Sequence, residues 1–237
     1  DQAKEELLWL LDASKDMDML TFIGLPWMKD GKLYNVAAAY SDGHLLGLVP
    51  KAYIPNYSEF YEARHFTAAP VGCTSVTWQD GTTVPFGTDL LFTCKTMPGL
   101  KVAAEICEDL WTPNPPSVCH AMHGATVIVN LSASDEVTGK DSYRRDLVKI
   151  QSGRLVCGYI YASAGEGESS TDLVFGGHHL IAENGSVLAE SERFTNETIY
   201  GDLDMERLIL DRMRRAGVDE ETLRRMGTVP TDSGEAL

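Results

Sequence analysis

The chain has 237 residues, with 20 Lys+Arg against 35 Asp+Glu, giving a formal net charge of −15. That length predicts one large domain or two small ones at roughly 100–200 residues each, and a 43% hydrophobic content suffices for a substantial core. So acidic a chain repels phosphate backbones and anionic lipid, so no nucleic-acid or membrane-surface role is expected, and no apolar run approaches the ~18 residues of a spanning helix.

Residues 2–13 (QAKEELLWLLDA) place apolar residues on one helical face and predict a helix. TFIGLPW (21–27), LYNVAAAY (33–40) and HLLGLVPK (44–51) follow, separated by Asp30-Gly31 and Asp42-Gly43. These turn dipeptides accept positive φ, so the three segments predict an antiparallel meander. Asp80-Gly81 supplies a further turn. LKVAAEI (100–106) and ATVIVNLSA (125–133) are nearly continuous apolar runs, as in strands covered on both faces. Between them, PPSVCHAMHG (115–124) predicts a helix with prolines at its start and Gly124 past its end.

SYRRDLVKIQSGRL (142–155) predicts a longer helix with Leu147, Ile150 and Leu155 on roughly one side, and VCGYIYASA (156–164) another buried strand. LVFGGHHLIAENGSVLAES (173–191) is expected to be a hairpin around Asn184-Gly185, and IYGDLD (199–204) to close the sheet pattern. MERLILDRMRR and DEETLRRM, within 205–226, predict late helical segments, and TVPTDSGEAL is a polar tail. Short helices and strands in both hairpin and crossover order imply a layered α/β domain with a mixed sheet.

The first residues show no basic-then-apolar leader, so the protein is expected in the cytoplasm. Its five widely spaced cysteines are then expected as reduced thiols. Cys119, His120 and His123 cluster, but no partner pair stands at ligand spacing elsewhere, and no metal site is assigned. His178-His179 would face opposite ways on a strand. The sequons at Asn130 and Asn196 are read as chance matches.

Cys107 directly follows a buried strand and precedes Glu108 and Asp109. Backbone N–H groups at such a strand end can favour a thiolate or hold an oxyanion, which makes Cys107 a candidate nucleophile, although most free cysteines are plain core residues. Flanking acids oppose the thiolate, so a cationic partner is needed. Lys51, at the end of another strand, offers one, and Glu59 and Glu62 lie soon after among Tyr53, Tyr57, Phe60 and Tyr61. Carboxylates beside aromatic rings suit proton-transfer work; a solvated helix face would carry the same residues.

KAYIPNYSEFYEARHF (51–66), EICEDLWTPNPP (105–116), NLSAS (130–134) and YASAGEGESSTDLVFGGH (161–178) together resemble the nitrilase-type glutaminase domain of glutamine-dependent NAD synthetases, from about residue 20 to residue 204. The resemblance implies a four-layer αββα sandwich and hydrolysis of glutamine through a thioester. It makes Cys107 the nucleophile and Lys51 the cation that, with the backbone N–H of Glu108, meets the oxyanion. Glu62 would position the lysine, with Glu59 as the substitute. Tyr57, Ser134 and Lys140 would contact the amino-acid head of glutamine. No cofactor or metal is implied for this step. ATP and the NAD precursor belong to a synthetase domain, and a homo-oligomer is implied.

Against that family pattern, the chain opens at Asp1 inside a helix-like stretch, without an initiator Met, a first strand or the P-E-L segment that carries the general base. No SGGxDS phosphate loop follows; the late Ser233-Gly234 is succeeded by Glu235. The expectation is a glutaminase domain over residues 1–204 lacking its first strand. Residues 205–237 would begin a linker to an absent synthetase domain. Such a fragment would release little ammonia by itself. A free-standing amidase for another amide and an inactive docking module are the alternatives.

Overall fold

The structure, a computed structural model, describes residues 2–168 and 173–215. The segment DEETLRRM, the polar tail and residues 169–172 of the fourth motif lie outside them. The chain divides into two compact units, one through Leu90 and one from Leu91.

The first unit is a helix and a five-stranded sheet. Helix α1 (Gln2–Ala13) precedes strands β1 (Thr21–Lys29), β2 (Lys32–Ser41) and β3 (His44–Pro50), which form the expected antiparallel meander. Its turns are of the mirror-image kind: Asp30 and Gly31 have φ of 50° and 72°, Asp42 and Gly43 of 47° and 77°. That backbone matches strand twist, and only Gly, Asn or Asp enter it at low cost. Strands β4 (Thr74–Thr77) and β5 (Thr83–Phe86) complete the order β1-β2-β3-β5-β4, with β3 and β5 parallel. Leu7 and Leu11 of α1 pack on Leu25, Trp27, Val36, Leu48 and Phe86, with Tyr34 and Phe86 edge to face at 5.2 Å.

The second unit holds six strands: β6 (Phe92–Thr93), β7 (Lys101–Ile106), β8 (Val127–Ser132), β9 (Gly158–Ser163), β10 (Leu180–Glu183) and β11 (Ser186–Glu190), ordered β11-β10-β9-β8-β7-β6. The central three run parallel, joined through helices α2 (Pro116–Met122) and α3 (Lys140–Leu155). The hairpin β10–β11 turns at Asn184 (φ 43°) and Gly185 (φ 85°) as its sequence requires.

Two expectations fail. Residues 199–204 form no strand. The Asp204 N–H donates to Glu183 Oε2 at 2.6 Å, and a Cβ on Gly158 would approach Leu203 to 2.6 Å. Gly158 and Glu183 are register partners on β9 and β10, each already paired on both sides, so neither strand has an edge for this segment to join. In α3 the inward face is Arg144, Val148, Gln151, Ser152 and Leu155, while Ile150 is 61% exposed. The helix turns two polar side chains and an arginine inward because those groups hydrogen-bond there, which apolar spacing cannot reveal.

Helix α4 (Met205–Arg214), expected as the start of a linker, is fastened to the second unit. Its Leu208 is buried, and Arg212 donates to the carbonyls of Leu155 (3.0 Å), Val156 (3.3 Å) and Ala121. Among the described residues no helix is long and apolar enough to cross a membrane.

The inward face of α3 sets an expectation. Leu155→Ala should lower the unfolding free energy by about 2–5 kcal/mol, and Ile150→Ala by no more than about 0.5 kcal/mol, as read by urea denaturation.

Candidate active site

The residues singled out for chemistry fall into two sets, one on each unit. On the first unit, the chain leaves β3 at Lys51, whose N–H donates to Asn35 O at 2.9 Å. Lys51 is 1% exposed, and its Nζ meets Glu62 Oε2 at 2.7 Å. Glu62 opens a single 3-10 turn (Glu62–Arg64) whose bonds Phe66 N–H to Glu62 O and Arg64 N–H to Tyr61 O fix the carboxylate. Of the two glutamates considered, Glu62 is therefore the one on the lysine. A buried ammonium is tolerable only with such a partner. Tyr57 is 53% exposed, stacks edge to face on Phe60 at 5.8 Å, and lines an open cavity of about 420 Å³ with Asn56, Tyr61 and Arg64.

On the second unit, β7 runs straight into a 3-10 turn, Cys107–Trp111. Asp109 Oδ2 accepts the Ile106 N–H at 2.9 Å and stabilises the bend. Cys107 itself has φ 48°, a left-handed conformation that costs a residue with a Cβ on the order of 1 kcal/mol or more and persists only where the surroundings enforce it. Its N–H donates to Asn130 Oδ1 at 3.1 Å, and its Sγ lies 3.8 Å from Ala133 O. Glu108 follows within the same turn, half-buried.

Beneath the turn lies a buried polar line absent from the sequence expectations. Asn130 Nδ2 donates to the Tyr159 oxygen at 3.2 Å, and the Tyr159 hydroxyl donates to Glu105 Oε1. Glu105 Oε2 accepts the Ser117 N–H at 2.8 Å, and Gln151 Nε2 donates to Ser117 Oγ at 3.0 Å. Burial pushes the Glu105 carboxyl up to about 7, against the lowering effect of the Tyr159 bond, and Asp109 adds a further push upward. Burial also raises the Tyr159 hydroxyl well above its ordinary range, with Glu105 adding to it.

Ser134 and Lys140 are both engaged. Ser134 is buried, and its Oγ accepts from Arg144 at 3.3 Å. Arg144, wholly buried, also donates to Glu136 (2.8 Å), to the Asp135 carbonyl (3.1 Å) and to His178 Nδ1 (3.0 Å). His178 Nε2 in turn meets Glu190 Oε1 at 2.9 Å. Lys140 pairs with Asp135 and stands 5.4 Å over the Trp111 ring. His178 and His179 precede β10 rather than lie on a strand; His179 Nδ1 accepts the Ser163 N–H at 3.1 Å.

Cys119 Sγ and His123 Nδ1 are 3.5 Å apart on α2. Among the described residues no group of three His, Cys, Asp or Glu is placed to hold a metal ion. The five cysteines are free thiols.

Glu105, Asn130 and Tyr159 could have been sought as polar residues interrupting the apolar runs of β7, β8 and β9, where burial demands a partner. Arg144 left no such signal, because it is one of several charged residues along α3, with Arg145, Asp146 and Lys149 close by.

Residues 1–213 match the carbon-nitrogen hydrolase family, and the chain belongs to it. The chain is 41% identical over 222 residues to the glutamine-dependent NAD(+) synthetase of Mycobacterium tuberculosis (strain ATCC 25618 / H37Rv), covering 93% of this chain and 32% of that protein. A crystal structure of a glutamine-dependent NAD(+) synthetase from Cytophaga hutchinsonii superposes with a TM-score of 0.71 at 30% identity, over 83% of this chain and 31% of that one. The carbon-nitrogen hydrolase of Helicobacter pylori G27, 18% identical, shares the fold with a TM-score of 0.68 over 93% of this chain and 72% of its own. The fold is thus the α/β fold of the nitrilase superfamily. The chain spans about a third of the length of the curated synthetases it matches.

Two measurements probe these arrangements. A double-mutant cycle of Lys51→Met with Glu62→Gln should give a coupling of about 1–3 kcal/mol in urea unfolding, since one partner is buried and the other partly exposed. Glu105, with a native carboxyl raised from the ordinary 4.5 to about 7, binds its proton more tightly folded than unfolded. Its contribution to stability therefore falls as pH rises from about 4.5 to 7. The stability of Glu105→Gln should accordingly fall less than that of the native protein across that window.

Proposed function

We propose that this chain is the glutaminase part of a glutamine-dependent NAD synthetase, releasing ammonia from the side-chain amide of glutamine. The observation that supports it most is Cys107: it stands in left-handed backbone at the end of a buried strand, in a chain aligned over 93% of its length with such a synthetase. In the proposed reaction the Cys107 sulfur attacks the amide carbon, the thiol proton passes to the departing nitrogen, and ammonia leaves a thioester. Water then hydrolyses the thioester, giving glutamate and restoring the thiol. Lys51, held by Glu62, is assigned to the negative charge that develops on the carbonyl oxygen, together with the Glu108 N–H, an effect worth a few kcal/mol. Tyr57, on its open cavity, and Ser134 and Lys140, with their Arg144 and Asp135 partners, are assigned to the amino-acid head of glutamine.

The step as proposed uses no metal or organic cofactor. ATP and the NAD precursor are assigned to the synthetase part, the partner that receives the ammonia. A homo-oligomer and a cytoplasmic location complete the proposal, the latter supported by the free thiols.

The test is ammonia release from glutamine by the whole synthetase of which this chain is proposed to be the glutaminase part. Cys107→Ala should abolish it, and Lys51→Met should lower kcat by about 10²–10³-fold. Unchanged turnover in Cys107→Ala would refute the assignment, and faster turnover of another amide would make the chain an amidase of different specificity.

A further inference from the structure

Taking Cys107 as the nucleophile proposed above, we propose that Glu105, acting through Tyr159 and Asn130, is a positioning residue that holds the Cys107 backbone in its left-handed conformation. The case rests on the direction of each hydrogen bond. The Cys107 N–H can only donate, so Asn130 must present Oδ1 to it. That orientation sends Asn130 Nδ2 to the Tyr159 oxygen, and the Tyr159 hydroxyl proton must then point away, onto Glu105 Oε1. The line ends correctly only on an acceptor, and the second carboxylate oxygen is already occupied by the Ser117 N–H. A carboxylate satisfies every member. A protonated carboxyl has to donate, and doing so to the Tyr159 oxygen reverses that bond and removes the constraint on the Asn130 amide.

Several features make the line more than packing. Glu105, Asn130 and Tyr159 stand on three adjacent parallel strands, β7, β8 and β9, and are all at most 1% exposed. The Cys107 N–H is committed inward, to the Asn130 side chain. Left-handed backbone at a residue with a Cβ reverts unless it is held. Titratable neighbours of Glu105 are Tyr159 and the Cys157 thiol on the β9 side and Asp109 in the 3-10 turn; α2 and α3 present Ser117 and Gln151, which carry no charge. Among the described residues no cation bears on it, and burial pushes the carboxyl up to about 7, so its protonation state changes in the range where the enzyme would be assayed.

The experiment measures kcat, KM and the pH profile of ammonia release in Glu105→Gln, Tyr159→Phe and Cys107→Ala. Tyr159→Phe keeps the buried ring and removes only the hydroxyl, so it decides the matter where Glu105→Gln fails to fold. Both variants should lower kcat at least tenfold, with KM for glutamine within about twofold of the native value. In Glu105→Gln the acidic limb of the kcat profile near pH 7 should vanish. In Tyr159→Phe it should vanish as well, because without the hydroxyl Glu105 no longer reaches Asn130. A purely structural role would alter stability and leave the profile in place. Loss of activity in Cys107→Ala, with native kcat and native pH profiles in the other two, overturns this inference alone. Activity retained in Cys107→Ala overturns the nucleophile assignment and this inference with it.

Discussion

Burying Glu105 obliges the elements around it to supply donors, and much of the second unit is arranged to do so. An ionised carboxylate moved out of water without hydrogen bonds would lose many kcal/mol. Tyr159 of β9 and the first turn of α2 offset part of that loss with two donors to its two oxygens. Because α2 must begin where Ser117 N–H reaches Glu105, and β9 must bring Tyr159 alongside, the positions of both are tied to one side chain. The same line continues through Asn130 to the backbone of Cys107, so the local conformation of the candidate nucleophile depends on a carboxylate two residues before it.

A second buried charge plays the equivalent part nearer the start of α3. Arg144 has no exposed surface and links Glu136, the Asp135 carbonyl, Ser134 and His178. Its presence explains why α3 carries a polar inward face, and why Gly176 has no Cβ: one there would come within 2.7 Å of Glu136 Oε1. Buried charges of this kind add little net stability, but removing one partner is costly, so they favour one arrangement over its neighbours. The segment that carries Ser134 and Asp135, and through Asp135 the Lys140 ammonium, is thereby fixed.

The first unit is built on different physics. Its meander and its helix are held by apolar packing about Phe86, Trp27 and Leu7, with tight turns whose geometry the Asp-Gly pairs make inexpensive. Against that plain framework the Lys51–Glu62 pair is the exception, an ammonium drawn out of water and paired with a carboxylate on a short 3-10 turn.

The sequence by itself determined the helix at 2–13, the helix at 142–155 that the structure begins two residues earlier, the meander with its Asp-Gly turns, the three parallel strands and the hairpin at Asn184-Gly185. Each depends on local periodicity or on a turn dipeptide with one low-cost backbone state. It also singled out Cys107, Lys51 and Glu62, because strand ends and motif order are properties of the chain alone. Only the tertiary structure decided that Glu62 rather than Glu59 meets Lys51, that Ile150 faces outward, that residues 199–204 join no sheet, and that Glu105, Tyr159 and Asn130 form one line beneath Cys107. Those outcomes depend on which polar groups lose water and must find partners far away in sequence, 54 residues in the case of Tyr159 and Glu105. No local pattern records such a pairing.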